Sequence, residues 1–102
     1  MPLCTGVWIC LVLVSGDNPN RHSVIISNQS FEPATLKIPA GDTVVWHNRD
    51  DRDHAIKGLN GEFQSGNIRP GRSFSKMMNQ PGTFRYGCAY HPREKGVIMV
   101  EE

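Results

Sequence analysis

The stretch "TFRYGCAYHPREKGVIMV", Thr83 to Val100, decides how this chain is read. Its first part alternates. Phe84, Tyr86 and Cys88 fall on one face of an extended segment, because strand side chains repeat every two residues. Its last part, "GVIMV" (Gly96 to Val100), is a second β-rich run. Between the two, Cys88, His91 and Glu94 follow one another at intervals of three, a spacing that fits a metal loop. Glu94 is the odd member, since a carboxylate is a harder donor than a thiolate or an imidazole.

Outward from this stretch the texture is the same. "SVIIS" (Ser23 to Ser27), "TLKI" (Thr35 to Ile38), "TVVWH" (Thr43 to His47) and the shorter "HAIK" (His54 to Lys57) read as strands. So does "RSFSKMM" (Arg72 to Met78). Pro39 and Gly41 suit the second and fourth places of a type I turn, and Pro70-Gly71 and Pro81-Gly82 mark two further turns. Residues 59–71 read as loop. No segment of ten or more residues carries a helical apolar stripe, and there is no internal repeat. Seven to eight short strands between turn signals predict an all-β fold, an antiparallel β-sandwich.

With 102 residues there is room for one domain. The 11 Lys and Arg are interleaved with 10 Asp and Glu, as in "NRDDRD" (Asn48 to Asp53), leaving a net charge of +1. No basic stripe points to nucleic acid, and no acidic arm is present.

The first sixteen residues, "MPLCTGVWICLVLVSG", carry no charge. Their apolar run "VWICLVLV" is too short to cross a bilayer of about 30 Å as a helix. It fits the apolar region of a secretory signal cut before Asp17, although the basic flank of such a signal is missing; the alternative is a buried N-terminal strand. Residues 1–16 are therefore expected to be a signal peptide and 17–102 the mature domain. That domain would be exported to the periplasm or beyond the cell, with no stable membrane insertion. Cys4 and Cys10 would leave with the signal, and Cys88 would stand alone. A lone thiol in an oxidising compartment is buried and inert, joined to another chain, or bound to a metal.

A β-sandwich gathers distant loops at each end, so the loop after "TVVWH", with His54, can meet the loop carrying Cys88 and His91. Two imidazoles and a thiolate form the donor set of a blue-copper electron-transfer site. At this point the chain resembles the cupredoxins of the plastocyanin–amicyanin–pseudoazurin type. "FEPATLKIPAGDTVVWHNRD", "DHAI", "FQSGNIRPGRSFSKMMNQPGTFRYGC" and "HP…GVIMV" stand in that family's order, over about residues 23 to 102.

The resemblance implies a Greek-key β-sandwich holding one copper and passing single electrons. His54 matches the upstream imidazole ligand, Cys88 the thiolate and His91 the second imidazole. Asn48 matches a residue beyond the ligands that ties the His54 loop to the cysteine loop. Pro92 after His91 matches the short amicyanin-like loop, whose axial methionine falls three residues after the second histidine. Here that position is Glu94, and the longer plastocyanin-like spacing falls on Gly96. Two readings of Glu94 stay open: an axial carboxylate ligand, or a charged loop residue pointing to water between Arg93 and Lys95. Met99, Met77 and Met78 are expected to pack, His47 to be an ordinary side chain and His22 to be solvated.

The expected function is one-electron transfer rather than catalysis, by a monomer that meets redox protein partners transiently. A module for copper buffering or delivery is the alternative.

Overall fold

The computed structural model describes residues 20–102, without the side chain of Pro92, so the expected signal peptide lies outside the described residues. Eight strands form two four-stranded sheets. They are β1 (Arg21–Ser27), β2 (Ser30–Glu32), β3 (Thr35–Pro39), β4 (Thr43–Asn48), β5 (Ile56–Gly58), β6 (Ser73–Met77), β7 (Gly82–Cys88) and β8 (His91–Glu101). One sheet runs β2-β1-β4-β6 and the other β3-β8-β7-β5. No described residue is helical.

The all-β sandwich is the expected one, but each sheet is mixed. β1 pairs parallel to β4, and β3 parallel to β8. The reason is connectivity. The chain crosses to the other sheet between β2 and β3 and returns between β3 and β4, so β4 comes back beside β1 in the same direction. A parallel neighbour needs such a crossover, whereas a hairpin gives an antiparallel one.

Alternation sets the inward faces. Val24 and Ile26 of β1, Val44, Trp46 and Asn48 of β4, and Ile98 and Val100 of β8 are buried. Trp46 organises the centre. Its ring lies 5.6 Å from Phe74, 5.9 Å from Phe63 and 5.4 Å from Tyr86, the last edge-on. Phe31 of β2, in a segment not expected to be a strand of its own, meets Tyr86 edge-on at 4.8 Å. Edge-on pairs place the positive rim of one ring on the negative face of another.

Two turns differ in register from the sequence expectation or refine it. Asp42 N–H donates to the Pro39 carbonyl, so Pro39 begins its turn and Gly41, at φ +97°, takes the third place. That is the place in a type II turn that requires positive φ. Arg72 N–H likewise donates to Arg69, with Pro70 second and Gly71 (φ +81°) third. Of the two methionines before Pro81, Met77 ends β6 exposed and Met78, just past the strand, is buried in the core. His22 is not simply solvated: its Nε2 lies 2.8 Å from Asp42 Oδ2.

Candidate metal centre

Three segments converge at one end of the sandwich. His54 stands beyond β4, held in a two-residue bridge in which His54 N–H donates to the Ile68 carbonyl and Ile68 N–H to the His54 carbonyl (3.0 and 2.7 Å). Cys88 ends β7 and His91 begins β8, paired across a two-residue loop of Ala89 and Tyr90. The next matched pair is Gly87 with Lys95, so Pro92, Arg93 and Glu94 are extra residues on the β8 side. Such a bulge re-aims side chains locally. From Glu94, the last residue of the bulge, the strand regains its period, and Glu94, Gly96, Ile98 and Val100 are all buried.

Glu94 therefore faces the core rather than water. It is 2% exposed, alongside a fully buried His54 and a Cys88 at 6%. His91 is the outermost of the four, with 22% of its side chain exposed. Donor atoms of His54, Cys88, His91 and Glu94 all lie within 4.8 Å of one another. His54 Nδ1 is 3.1 Å from Glu94 Oε1, and His91 Nδ1 is 3.2 Å from Oε2. Cys88 Sγ is 3.6 Å from His54 Nδ1 and 3.5 Å from His91 Nδ1.

These residues fit a metal ion. A tetrahedral centre with metal–nitrogen bonds of about 2.0–2.1 Å and one metal–sulfur bond of about 2.3 Å has donor–donor edges of roughly 3.3–3.6 Å. The contacts of the two imidazoles with the thiol and with one or other Glu94 oxygen run from 3.1 to 3.6 Å, and the donor set as a whole spans no more than 4.8 Å. Glu94 supplies a second indication. Its Oε2 is buried without a hydrogen-bond partner, because His91 Nδ1, though 3.2 Å away, is not in hydrogen-bonding geometry. Leaving a buried carboxylate oxygen unpaired is costly, and a cation among the four donors would remove that cost. Cys88, the one described cysteine, has no disulfide partner.

The framework around the cluster is backbone. Ala55 N–H donates to Cys88 Sγ at 3.4 Å, and Ala89 N–H to the Ala55 carbonyl at 2.9 Å, so Ala55 joins the His54 and cysteine loops. Asn48, expected to make that tie, bonds elsewhere. Its side-chain N–H groups donate to the carbonyls of Arg52 and Ile68, both at 2.9 Å, and its Oδ1 accepts from Asp50 N–H. Asn48 ends β4 in the other sheet, so its short amide reaches the 49–53 turn and Ile68 while Ala55 faces the thiol.

Asp50 was not singled out from the sequence, where it is one charge in "NRDDRD". Its Oδ2 accepts from His54 Nε2 at 3.0 Å. Partial burial pushes its carboxyl up, but the His54 hydrogen bond, the N–H groups of Asp51 and Gln29 and the His54 charge together hold it below the usual carboxylate range. His47 stays outside the cluster, 3.4 Å from Ser23 Oγ, and Met99 lies on the outward face of β8. Gly96 leaves room for no side chain at all, since a Cβ there would collide with the Tyr86 ring.

Fold and donor set together define a small β-sandwich protein with a group of two histidines, a cysteine and a glutamate that could hold a metal ion. The chain belongs to the cupredoxins: residues 3–100 match the model of the cupredoxin-like domain. It is 30% identical to amicyanin-alpha of Methylorubrum extorquens over 83 residues, 76% of this chain and 70% of that protein. It is 34% identical to the plastocyanin of Scenedesmus fuscus over 84 residues, 70% of this chain and 86% of the relative. Among solved structures, a purple cupredoxin from Nitrosopumilus maritimus superposes with a TM-score of 0.73 at 30% identity. That match covers 78% of this chain and 99% of the other.

Proposed function

We propose that this cupredoxin is an exported one-electron carrier with one copper held by His54, Cys88, His91 and Glu94. The observation that carries the reading is the buried Glu94 carboxylate, 3.1 and 3.2 Å from two imidazole nitrogens, with Oε2 unpaired beside a thiol. When bound, copper supplies the one-electron Cu(II)/Cu(I) couple. The residues hold the donors still while the charge changes. Cys88 is fixed by its place in β7 and by Ala55 N–H, and His54 by its bridge to Ile68. A Glu94 carboxylate, harder than a thioether, favours Cu(II) over Cu(I) and so lowers the potential and moves the colour away from blue.

His91 is the exit for the electron, because it is the donor residue that reaches the surface. Exposed Ala89 and Tyr90 adjoin it, and Arg93 and Lys95 add positive charge nearby. A small contact of this kind suits a transient redox partner protein, with salt-sensitive association to an acidic surface. The working form is a monomer in the periplasm or outside the cell, acting as a carrier rather than an enzyme.

The same carboxylate favours a second reading, copper buffering or delivery, in which tight holding of Cu(II) matters more than exchange of electrons. The experiment is a Cu(II) titration of residues 17–102 followed by optical and spin-resonance spectra and by voltammetry. An intense thiolate-to-copper band saturating at one equivalent, with reversible reduction, supports the carrier. Saturation without reversible reduction favours the buffer. A faint ligand-field spectrum removes Cys88 from the site and sinks both.

A further inference from the structure

We infer that Asp50 is a positioning residue for the metal centre: it fixes the ring and the tautomer of His54 and tilts the site toward the more highly charged metal. The inference rests on the metal-binding reading above and adds a residue to it. The geometry is direct. His54 Nδ1 faces Cys88 and Glu94, and its other nitrogen, Nε2, lies 3.0 Å from Asp50 Oδ2. A neutral imidazole has one N–H and one lone pair. With the lone pair of Nδ1 committed to a cation, the proton stands on Nε2, and Asp50 is the acceptor waiting for it.

Asp50 is itself held in place. Asp51 N–H donates to Oδ1 at 3.0 Å and Gln29 N–H to Oδ2 at 3.4 Å, while Asp50 N–H is bound by Asn48 Oδ1 at 2.9 Å. Its side chain is 13% exposed and lines a polar hollow between residues 27–29 and 49–52. His54 is fully buried and cannot turn away from it. An imidazole flanked by a metal on one side and a carboxylate on the other is a stronger donor and keeps one orientation.

Asp50 also alters the charge of the centre. The thiolate of Cys88 and the carboxylate of Glu94 already balance Cu(II), so a third anion behind His54 leaves the oxidised site at net −1 and the reduced site at −2. Asp50 therefore disfavours the reduced site.

The test uses Asp50→Asn and Asp50→Ala beside the wild-type protein. Cu(II) and Cu(I) affinities come from competition with chelators, and reduction potentials from voltammetry. Nitrogen-15 NMR of the Zn(II)-loaded protein reports which His54 nitrogen carries the proton. The wild type should show Nε2 protonated and slow to exchange with solvent. Loss of an outer hydrogen-bond partner typically weakens metal binding about 10- to 100-fold. That loss applies to Ala; both variants remove the carboxylate charge, so both should keep the intense thiolate band while Cu(II) affinity falls more than Cu(I) affinity, a potential rise of about 59 mV per decade of difference. Asn, which can still accept through its amide oxygen, should retain the slow Nε2 proton that Ala loses.

Potentials unchanged in both variants, with the band intact, would overturn the role of Asp50 and leave the metal site standing. A wild-type spectrum with the proton on Nδ1 would overturn it without any variant. Absence of the thiolate band in the wild type would overturn the metal site and this inference together.

Discussion

Replacing Glu94 by methionine should raise the reduction potential of the copper-loaded protein by more than 100 mV, with about 170 mV coming from the lost charge. The carboxylate oxygens lie 3.1 and 3.2 Å from the two imidazole donors, inside a cluster spanning no more than 4.8 Å. Its charge is thus within about 4 Å of the cluster centre, where a unit charge pair at an effective dielectric of about 20 is worth about 4 kcal/mol. Reduction removes one unit of metal charge, so that energy separates Cu(II) from Cu(I). It corresponds to about three decades in their relative affinities, or roughly 170 mV for one electron. Salt should screen little of it, because Glu94 is 2% exposed.

Methionine also softens the donor, which pushes the potential the same way. Glu94→Gln separates the two effects, since it removes the charge and keeps an oxygen. Voltammetry of the three proteins, with their visible spectra, is the assay. Glu94→Met should turn the spectrum toward blue, and Glu94→Gln should account for most of the rise in potential. A shift below about 60 mV in both variants, with spectra like the wild type, would refute Glu94 as a ligand despite its position.

Other perturbations test other parts of the structure. Cys88→Ala should abolish the intense visible band and cost about 1 kcal/mol of stability, since one small buried group is lost; an unchanged spectrum would remove the thiol from the site. Gly96→Ala should destabilise the metal-free protein by about 1–3 kcal/mol, lowering its Tm by several degrees, because the new methyl collides with the ring of Tyr86 across the β7–β8 pair. An unchanged melting curve would contradict the packing of Tyr86 on Gly96. Burial pushes the Tyr86 phenol up from its usual 10.0 to about 12, with the Trp46 indole opposing it. A raised acid loses stability on the alkaline side: the contribution is whole below the unfolded phenol's value and disappears as pH rises through the folded one. The wild type should therefore lose roughly 3 kcal/mol between about pH 10 and 12. Tyr86→Phe should be flatter across that window, and equal slopes in denaturant titrations would contradict it.

Much of the site was legible because its parts are local. The interval from Cys88 to His91 and the strand endings around it are properties of one hairpin, and alternation through Phe84, Tyr86 and Cys88 carries the thiol toward the core. Glu94 was legible in part. Counted back from Val100 and Ile98 by twos, through Gly96, the inward face reaches Glu94, which settles it against the water-facing reading. The flanking Arg93 and Lys95 obscured this, because charge in a loop ordinarily means exposure. The period survives in β8 since the three extra residues fall between Cys88 and Lys95, before the regular pairing begins.

The sequence by itself determined a short-stranded all-β domain, pointed to His54, Cys88 and His91 as residues that would meet, and showed a carboxylate where the family pattern places a thioether. Tertiary structure alone decided the parallel pairings of β1 with β4 and β3 with β8, which depend on where the chain crosses between sheets. It alone placed Ala55 rather than Asn48 against the cysteine loop, and lifted Asp50 out of a mixed-charge run to face His54. The physical reason is common to these cases. Strand period and turn chemistry act over a few neighbouring residues, whereas hydrogen bonds between loops are set by the packing of two sheets, and no local pattern encodes which backbone group will lie within 3 Å or so of which side chain.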